Sequence, residues 1–226
     1  MSKLYIVATP IGNLSDITLR ALETLKSVDL ILCEDTRVSK RLMDHYDINT
    51  KLMSYHQHSG ESKVNLLLDK LKEGMDMALV TDAGTPGISD PGNKLIAEIV
   101  GKIGDYCDVI PMPGPSAVAT ALSVAGVPTD KFLFLGFIPH KKGRETLFTR
   151  ISESRETVVF YESTHRILKT LERLSEILDK KRRVIVCREL TKKFETIYRG
   201  NMEEVLQKLR DGKTKGEFVV VIDGSK

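Results

Sequence analysis

The sequence lacks any run of about 18 apolar residues, so no segment of it reads as a bilayer-spanning helix. It has no GxxxxGK[ST] loop, which removes the usual phosphate cradle of nucleotide hydrolases. It has no GxGxxG turn either, so a dinucleotide site of the common type is not supported. Cysteine is scarce. Cys33, Cys107 and Cys187 are odd in number, have no CxxC or Cys/His ligand spacing, and each lies in or beside an apolar, strand-like run. A disulfide scaffold and a structural zinc site are both disfavoured, and reduced core thiols are expected. Internal repeats, low-complexity tracts and heptad arrays are missing too. Met1-Ser2-Lys3 leads into the short apolar run Leu4-Tyr5-Ile6-Val7-Ala8 and then a turn, unlike a secretory signal. The expectation is a cytoplasmic protein with no membrane partner.

What remains is an ordinary globular composition: 226 residues, 41% hydrophobic and 29% charged. That length suits one large domain or two of roughly 100 residues, either able to bury a core. The 34 basic and 31 acidic residues give a net charge of +3, too evenly balanced to project a long-range field. Basic residues do cluster at Lys40-Arg41, at His140-Lys141-Lys142-Gly143-Arg144 and at Lys180-Lys181-Arg182-Arg183. Any one of these, taken alone, reads as a solvated face.

Short β-rich runs alternate with amphipathic stretches. Strands are predicted near Leu4 to Thr9, Leu30 to Glu34, Met77 to Thr81 and Asp108 to Ile110, which is the grammar of βαβ units. Thr18 to Lys26 sets Leu19, Leu22 and Leu25 on one helical stripe, and Val64 to Leu71 sets Val64, Leu67, Leu68 and Leu71 on another. Both should cover one face of a sheet. Three prolines within Pro111-Met112-Pro113-Gly114-Pro115 forbid a regular helix or a central strand and mark a domain boundary. Beyond them a small-residue helix over Ser116 to Ala125 is expected. Strands follow at Lys131 to Ile138, Thr157 to Tyr161, Arg183 to Cys187, Glu195 to Arg199 and Glu217 to Ile222, with antiparallel pairing in this half. The predicted class is α/β in two domains, residues 1–113 with a mostly parallel sheet and residues 114–226 with a mixed sheet and helices. The default ligand site is a cleft between them.

Several segments are chemically suggestive. The first strand runs into Thr9-Pro10-Ile11-Gly12-Asn13, a loop able to bring backbone amides to a ligand or to serve as a plain turn. Asp82 to Gly92 holds three glycines and two prolines in eleven residues directly after an apolar strand. Proline lowers the entropy of holding such a loop, and glycine admits positive φ and close approach of a flat ligand. Ser89 or Asp90 is a candidate cap for a helix starting near Asn93. Pro113-Gly114-Pro115-Ser116-Ala117 repeats the pattern as either a linker with an N-cap or a ligand contact. Tyr161-Glu162-Ser163-Thr164-His165-Arg166 places polar groups where a strand meets a helix.

Five segments together resemble one family: Val7 to Ala21, Cys33-Glu34-Asp35-Thr36-Arg37, Asp82 to Gly92, Pro113 to Ala117, and Tyr161 to Arg166. They are similar, in order and over nearly the whole chain, to the 16S rRNA (cytidine-2'-O)-methyltransferase branch of the tetrapyrrole methylases. The resemblance implies a two-domain fold, S-adenosyl-L-methionine in the interdomain cleft, a homodimer, and 16S rRNA of the small ribosomal subunit as partner. It carries cofactor contacts onto Pro10, Gly84, Thr85, Ile88, Ser116 and Ala117, and also onto Tyr161, Glu162, Gly216 and Glu217. Two departures are visible. Many members continue some tens of residues past the position of Asp223, a segment that would bear on RNA affinity, and Thr164 stands where proline is frequent.

A sulfonium methyl is already electrophilic, so alignment and exclusion of water are the main requirements, and no metal is called for. A ribose hydroxyl is a poor nucleophile, and a base beside it would accelerate transfer. Glu34, Asp35, Glu162 and Glu189 are candidate bases. The preferred catalytic set is Glu34 with Arg37, and Glu162; the rival reading is an Asp-Arg salt bridge, of Asp35 with Arg37, that organises the loop after the second strand. RNA contacts are expected from Lys40, Lys141, Lys142, Arg144, His165 and Arg166, with Arg188 and Lys192-Lys193 as further phosphate partners. Alternatives are methyl transfer to a tetrapyrrole or diphthine-type acceptor, and a non-catalytic RNA-binding assembly factor.

Overall fold

The computed structural model describes residues 1–56 and 59–224. The chain divides into two compact units, Met1–Ser116 and Ala117–Lys226. In the first unit β1 (Ser2–Val7), β2 (Leu30–Cys33), β3 (Leu52–Ser54), β4 (Met77–Leu79) and β5 (Cys107–Met112) form one sheet in the order β3-β2-β4-β1-β5. Every pairing is parallel. The helices α1 (Leu19–Ser27), α2 (Thr36–His45), α3 (Glu61–Lys72) and α4 (Asn93–Ile103) connect them.

The sheet is buried on both faces, which is why β2 reads as an unbroken apolar run. Leu30 and Leu32 point to the side covered by α3 and α4, where Val64, Leu67, Leu68, Leu71, Leu95, Ile99 and Ile103 pack. Ile31 and Cys33 point to the other side, against Ala21 and Leu25 of α1 and Leu42 and Met43 of α2. The stripes of α1 and α3 therefore cover opposite faces, not a shared one. The α1 stripe is also rotated from the predicted one: Ala21, Thr24 and Leu25 are buried, whereas Leu19 is 79% exposed. Its N-cap is Thr18, which accepts from the amide of Ala21.

Pro111 and Met112 extend β5 beyond the predicted strand end at Ile110, in keeping with the exclusion of a central strand. β5 is an edge strand bonded only to β1, and an edge tolerates a residue that lacks an amide hydrogen. β3, absent from the sequence reading, is three residues long on the opposite edge and too short to display a period of two.

The second unit contains β6 (Phe132–Phe137), β7 (Thr157–Ser163), β8 (Val184–Arg188), β9 (Thr196–Gly200) and β10 (Glu217–Ile222), in the order β6-β7-β10-β8-β9. β6 pairs with β7 in parallel and the remaining pairs are antiparallel, so the sheet is mixed as expected. Helices α6 (Arg144–Glu153), α7 (Ile167–Ser175) and α8 (Met202–Asp211) bury Phe148, Ile151, Leu171, Leu174, Val205 and Leu209 against Val158, Phe160, Val186, Phe218 and Val220. α5 (Ala117–Ala125) packs on β7 and β10. A reciprocal capping box between Asn201 and Glu204 starts α8. Among the described residues, no helix is long and apolar enough to cross a membrane.

Candidate functional site

In the first unit the polar segments collect at the carboxyl ends of the parallel strands, the edge where open α/β sheets bind ligands. The loop after β1 and the loop after β4 are joined by a two-way bridge: the Thr9 amide donates to the Gly84 carbonyl at 2.9 Å and the Gly84 amide to the Thr9 carbonyl at 3.1 Å. The Thr9 hydroxyl donates to the Thr81 carbonyl at 3.0 Å. The Thr85 hydroxyl reaches the Pro115 carbonyl at 3.0 Å, binding in the loop after β5. Pro10, Gly84, Thr85 and Ser116 are thus carried on three loops tied to one another, with Ile88 exposed on the second. Ala117 opens α5 in the other unit.

Glycine is required where these loops close. Gly84 has φ of 89°, and a Cβ there would lie 3.4 Å from Ile11 Cγ2 and 3.8 Å from the Pro115 carbonyl. Gly92 has φ of 137° and would drive a Cβ to 2.9 Å from Leu79. Gly92, not Ser89 or Asp90, occupies the N-cap of α4, and no side chain caps that helix. The expected cap is therefore corrected: Ser89 sits at φ of 62°, and Asp90 turns to the acidic residues beyond β2 and β4.

Those acidic residues form a graded set. Burial raises the Asp90 carboxyl to about 6, helped by Glu34 and Asp82 and opposed by the Thr81 hydroxyl. Burial also raises Glu34, with Asp82 adding and His56 opposing, and it raises Asp82. Asp35 is held down, to about 2, by its hydrogen bonds from Arg37. Arg37 therefore pairs with Asp35, at 2.7 Å, and not with the Glu34 to which the preferred catalytic set coupled it. Asp35 also accepts from the Arg37 amide as the N-cap of α2. The loop-organising role is the one seen for this pair. A sequence does not display desolvation, so it does not mark Asp90 and Asp82 as raised carboxyls. The only sign was two acids flanking a rigid loop.

In the second unit Tyr161, Glu162, Gly216 and Glu217 share one sheet edge, where Glu217 lies opposite Ser163 and Val219 opposite Tyr161. The Tyr161 ring packs edge-on against Phe134, and Phe137 lies beside it. Glu162 is buried and fully engaged: one carboxylate oxygen accepts from Arg166 and the Ser163 amide at 2.8 Å, the other from Thr170 at 2.7 Å. A carboxylate with both oxygens committed is a positioning group, which departs from the proton-accepting role first considered for it. Arg166 is likewise internal, since its guanidinium also donates to the Ile138 carbonyl, so phosphate contact does not fall to it. Arg144 donates to Thr170 at 3.0 Å and lies over the Phe148 ring. Arg188, another expected phosphate partner, is buried and bonded to the carbonyls of Lys215 and Phe194. Lys192 bridges Glu189 and Glu217, and Lys40 pairs with Asp44 on an exposed face of α2. Lys141, Lys142 and His165 are exposed. Thr164 donates to the Gly216 carbonyl and accepts from the Gly216 amide, so threonine locks this turn through a hydroxyl.

The profile of the Tetrapyrrole (Corrin/Porphyrin) Methylases matches residues 3–206. The chain belongs to the tetrapyrrole methylase family. Among its curated relatives, Ribosomal RNA small subunit methyltransferase I of Halalkalibacterium halodurans is 48% identical over 98% of this chain and 76% of its own length. The protein of the same name from Escherichia coli O157:H7 is 47% identical over 99% of this chain and 78% of its own. The tetrapyrrole methylase fold is shared with uroporphyrin-III C-methyltransferase from Thermus thermophilus, solved with S-adenosylhomocysteine. Its TM-score is 0.65 at 17% identity, over 98% of this chain and 97% of that one.

Proposed function

We propose that this chain is an S-adenosylmethionine-dependent methyltransferase of 16S rRNA, acting on a cytidine ribose 2'-hydroxyl in the small ribosomal subunit. The observation that carries the reading is near full-length identity of 47–48% to proteins named for ribosomal RNA small subunit methylation.

The residues present fit such a cofactor. Gly84 presents bare backbone where the loops after β1, β4 and β5 meet, and Gly114 approaches Ala8 so closely that a Cβ would lie 3.0 Å from the Ala8 Cβ. Pro10, Gly84, Thr85, Ile88, Ser116 and Ala117 would hold it, together with Tyr161, Glu162, Gly216 and Glu217. Bound there, S-adenosylmethionine supplies an electrophilic methyl that needs alignment more than activation. The chain's own contribution is to orient the acceptor, exclude water and take up the hydroxyl proton. Asp90 and Glu34 suit the last task, because burial holds their carboxyls above the usual range, closer to neutral pH. Glu162 fixes the turn after β7 through Arg166 and Thr170.

A cytidine must leave its stack before its ribose can reach such a site. Lys141 and Lys142, exposed before α6, would meet the RNA backbone there. A cytoplasmic homodimer completes the reading. The decisive test incubates purified protein and labelled S-adenosylmethionine with small subunits from cells lacking this activity, followed by nuclease mapping and mass spectrometry. Label on a cytidine 2'-oxygen is expected. Measurable cofactor binding with no label would move the acceptor elsewhere.

A further inference from the structure

The turn between β8 and β9 holds a group that the methyl-transfer reading does not use. Phe194 is 57% exposed, and Lys193 and Lys213 lie over its ring with ammonium nitrogens 5.7 and 5.4 Å from the centroid. The arrangement is built, not incidental. Glu189 and Thr191 both sit at positive φ, 54° and 63°, in a region that residues with side chains avoid, so the turn stores backbone strain. Buried Arg188 clamps it by donating to the carbonyls of Phe194 at 3.0 Å and Lys215 at 2.8 Å, which brings the β8–β9 turn and the α8–β10 loop together. The acids nearby are already engaged: Glu189 and Glu217 by Lys192, and Glu195 by the Thr191 amide at 2.6 Å. Lys193, Lys213 and Lys215 are exposed and leave the local field positive.

The chain neighbours of Phe194 in the turn, Thr191, Lys192, Lys193 and Glu195, are polar or charged, which suits a charged ligand better than an apolar protein face. A flat, π-faced ligand carrying negative charge fits: one ring to stack on, and ammonium groups on flexible stems that swing from the ring to a phosphate. Arg188 pairs with Phe218 in register, and Glu217 with Ser163, so the turn stands at the sheet edge that also carries Tyr161, Glu162 and Gly216.

We propose that Phe194, with Lys193 and Lys213, is a stacking platform for an unpaired RNA base whose flanking phosphates those lysines bind. This rests on the RNA reading above and adds to it a specific non-covalent contact. The test measures binding of the full-length protein to a short, fluorescein-labelled single-stranded oligoribonucleotide of cytidine and uridine across a salt series. Alongside it, methyl transfer into small subunits gives KM and kcat. Phe194→Leu should weaken oligonucleotide binding about tenfold with an unchanged salt slope, because stacking carries little charge, whereas Phe194→Tyr should bind like the native protein. Lys213→Gln should lower the salt slope by about 0.7, the value for one phosphate on a single strand. Equal binding by Phe194→Leu, or a loss accompanied by the slope change expected of a lost lysine, overturns the platform. If the native protein methylates small subunits and Phe194→Leu does so with unchanged KM, the platform fails while the enzymatic reading stands. If the native protein neither binds RNA nor methylates subunits, both fall.

Discussion

The Arg166 guanidinium and the Glu162 carboxylate meet at 2.7 Å, four residues apart across the turn from β7 into α7, with side chains 14% and 0% exposed. Thr170 and the Ser163 amide complete the carboxylate's partners. Removing one member of such a pair strands the other charge away from water. Glu162→Ala should therefore destabilise the protein by about 3–5 kcal/mol in urea unfolding, far more than an exposed pair such as Lys40 with Asp44, worth about 0–1 kcal/mol. Glu162→Gln should lose less, because it keeps acceptor geometry at one oxygen.

Asp90 gives a pH dependence of defined sign. Its folded carboxyl is raised from 3.8 to about 6, so the folded state favours the protonated form. The stability linked to that proton is fully present below about pH 4 and lost as pH rises through 6. Asp90→Asn should therefore melt higher than the native protein at pH 8 and equally at pH 3.5. If Asp90 accepts the ribose proton, the same variant loses methyl transfer while binding cofactor normally by calorimetry.

Gly84 tests the tied loops. An alanine at φ of 89° is strained, and its Cβ meets Ile11 Cγ2 at 3.4 Å. Gly84→Ala should cost about 1–2 kcal/mol of stability and weaken S-adenosylmethionine binding in calorimetry. Gly126→Ala, also at positive φ but with open space around its Cβ, should show the stability loss alone.

Lys141→Glu with Lys142→Glu should weaken binding to small subunits and reduce its salt dependence, leaving cofactor affinity intact. Parallel loss of both affinities would mean a folding defect and would remove these lysines from the RNA surface.

Periodicity made most of the architecture legible. The α3 stripe of Val64, Leu67, Leu68 and Leu71 is buried as predicted, and β10 runs from Glu217 to Ile222 as read. The errors have physical causes. Spacing alone puts Leu19 on the buried stripe of α1, but the buried face is rotated from it and runs through Ala21, Thr24 and Leu25. The strand predicted to end at Ile110 continues through Pro111 and Met112, because a sequence does not say which strand becomes an edge. At the site, loop composition located Gly84 and Thr85, whereas the partners of charged side chains were unreadable. Arg37 selected Asp35 over Glu34, and Arg166 and Arg188 turned inward, because ion pairing depends on direction as well as proximity.

The two sheets share a feature with a bearing on synthesis. β1, made first, is sandwiched between β4 and β5, so the first sheet has no complete centre until residue 112 has emerged. β10, made late, is sandwiched between β7 and β8, and the second sheet stays split until residue 222 follows. Neither sheet can be zipped up hairpin by hairpin as the chain leaves the ribosome. The central strand of each unit instead pairs with partners distant in sequence, the kind of non-local contact that carries a large loop-closure cost.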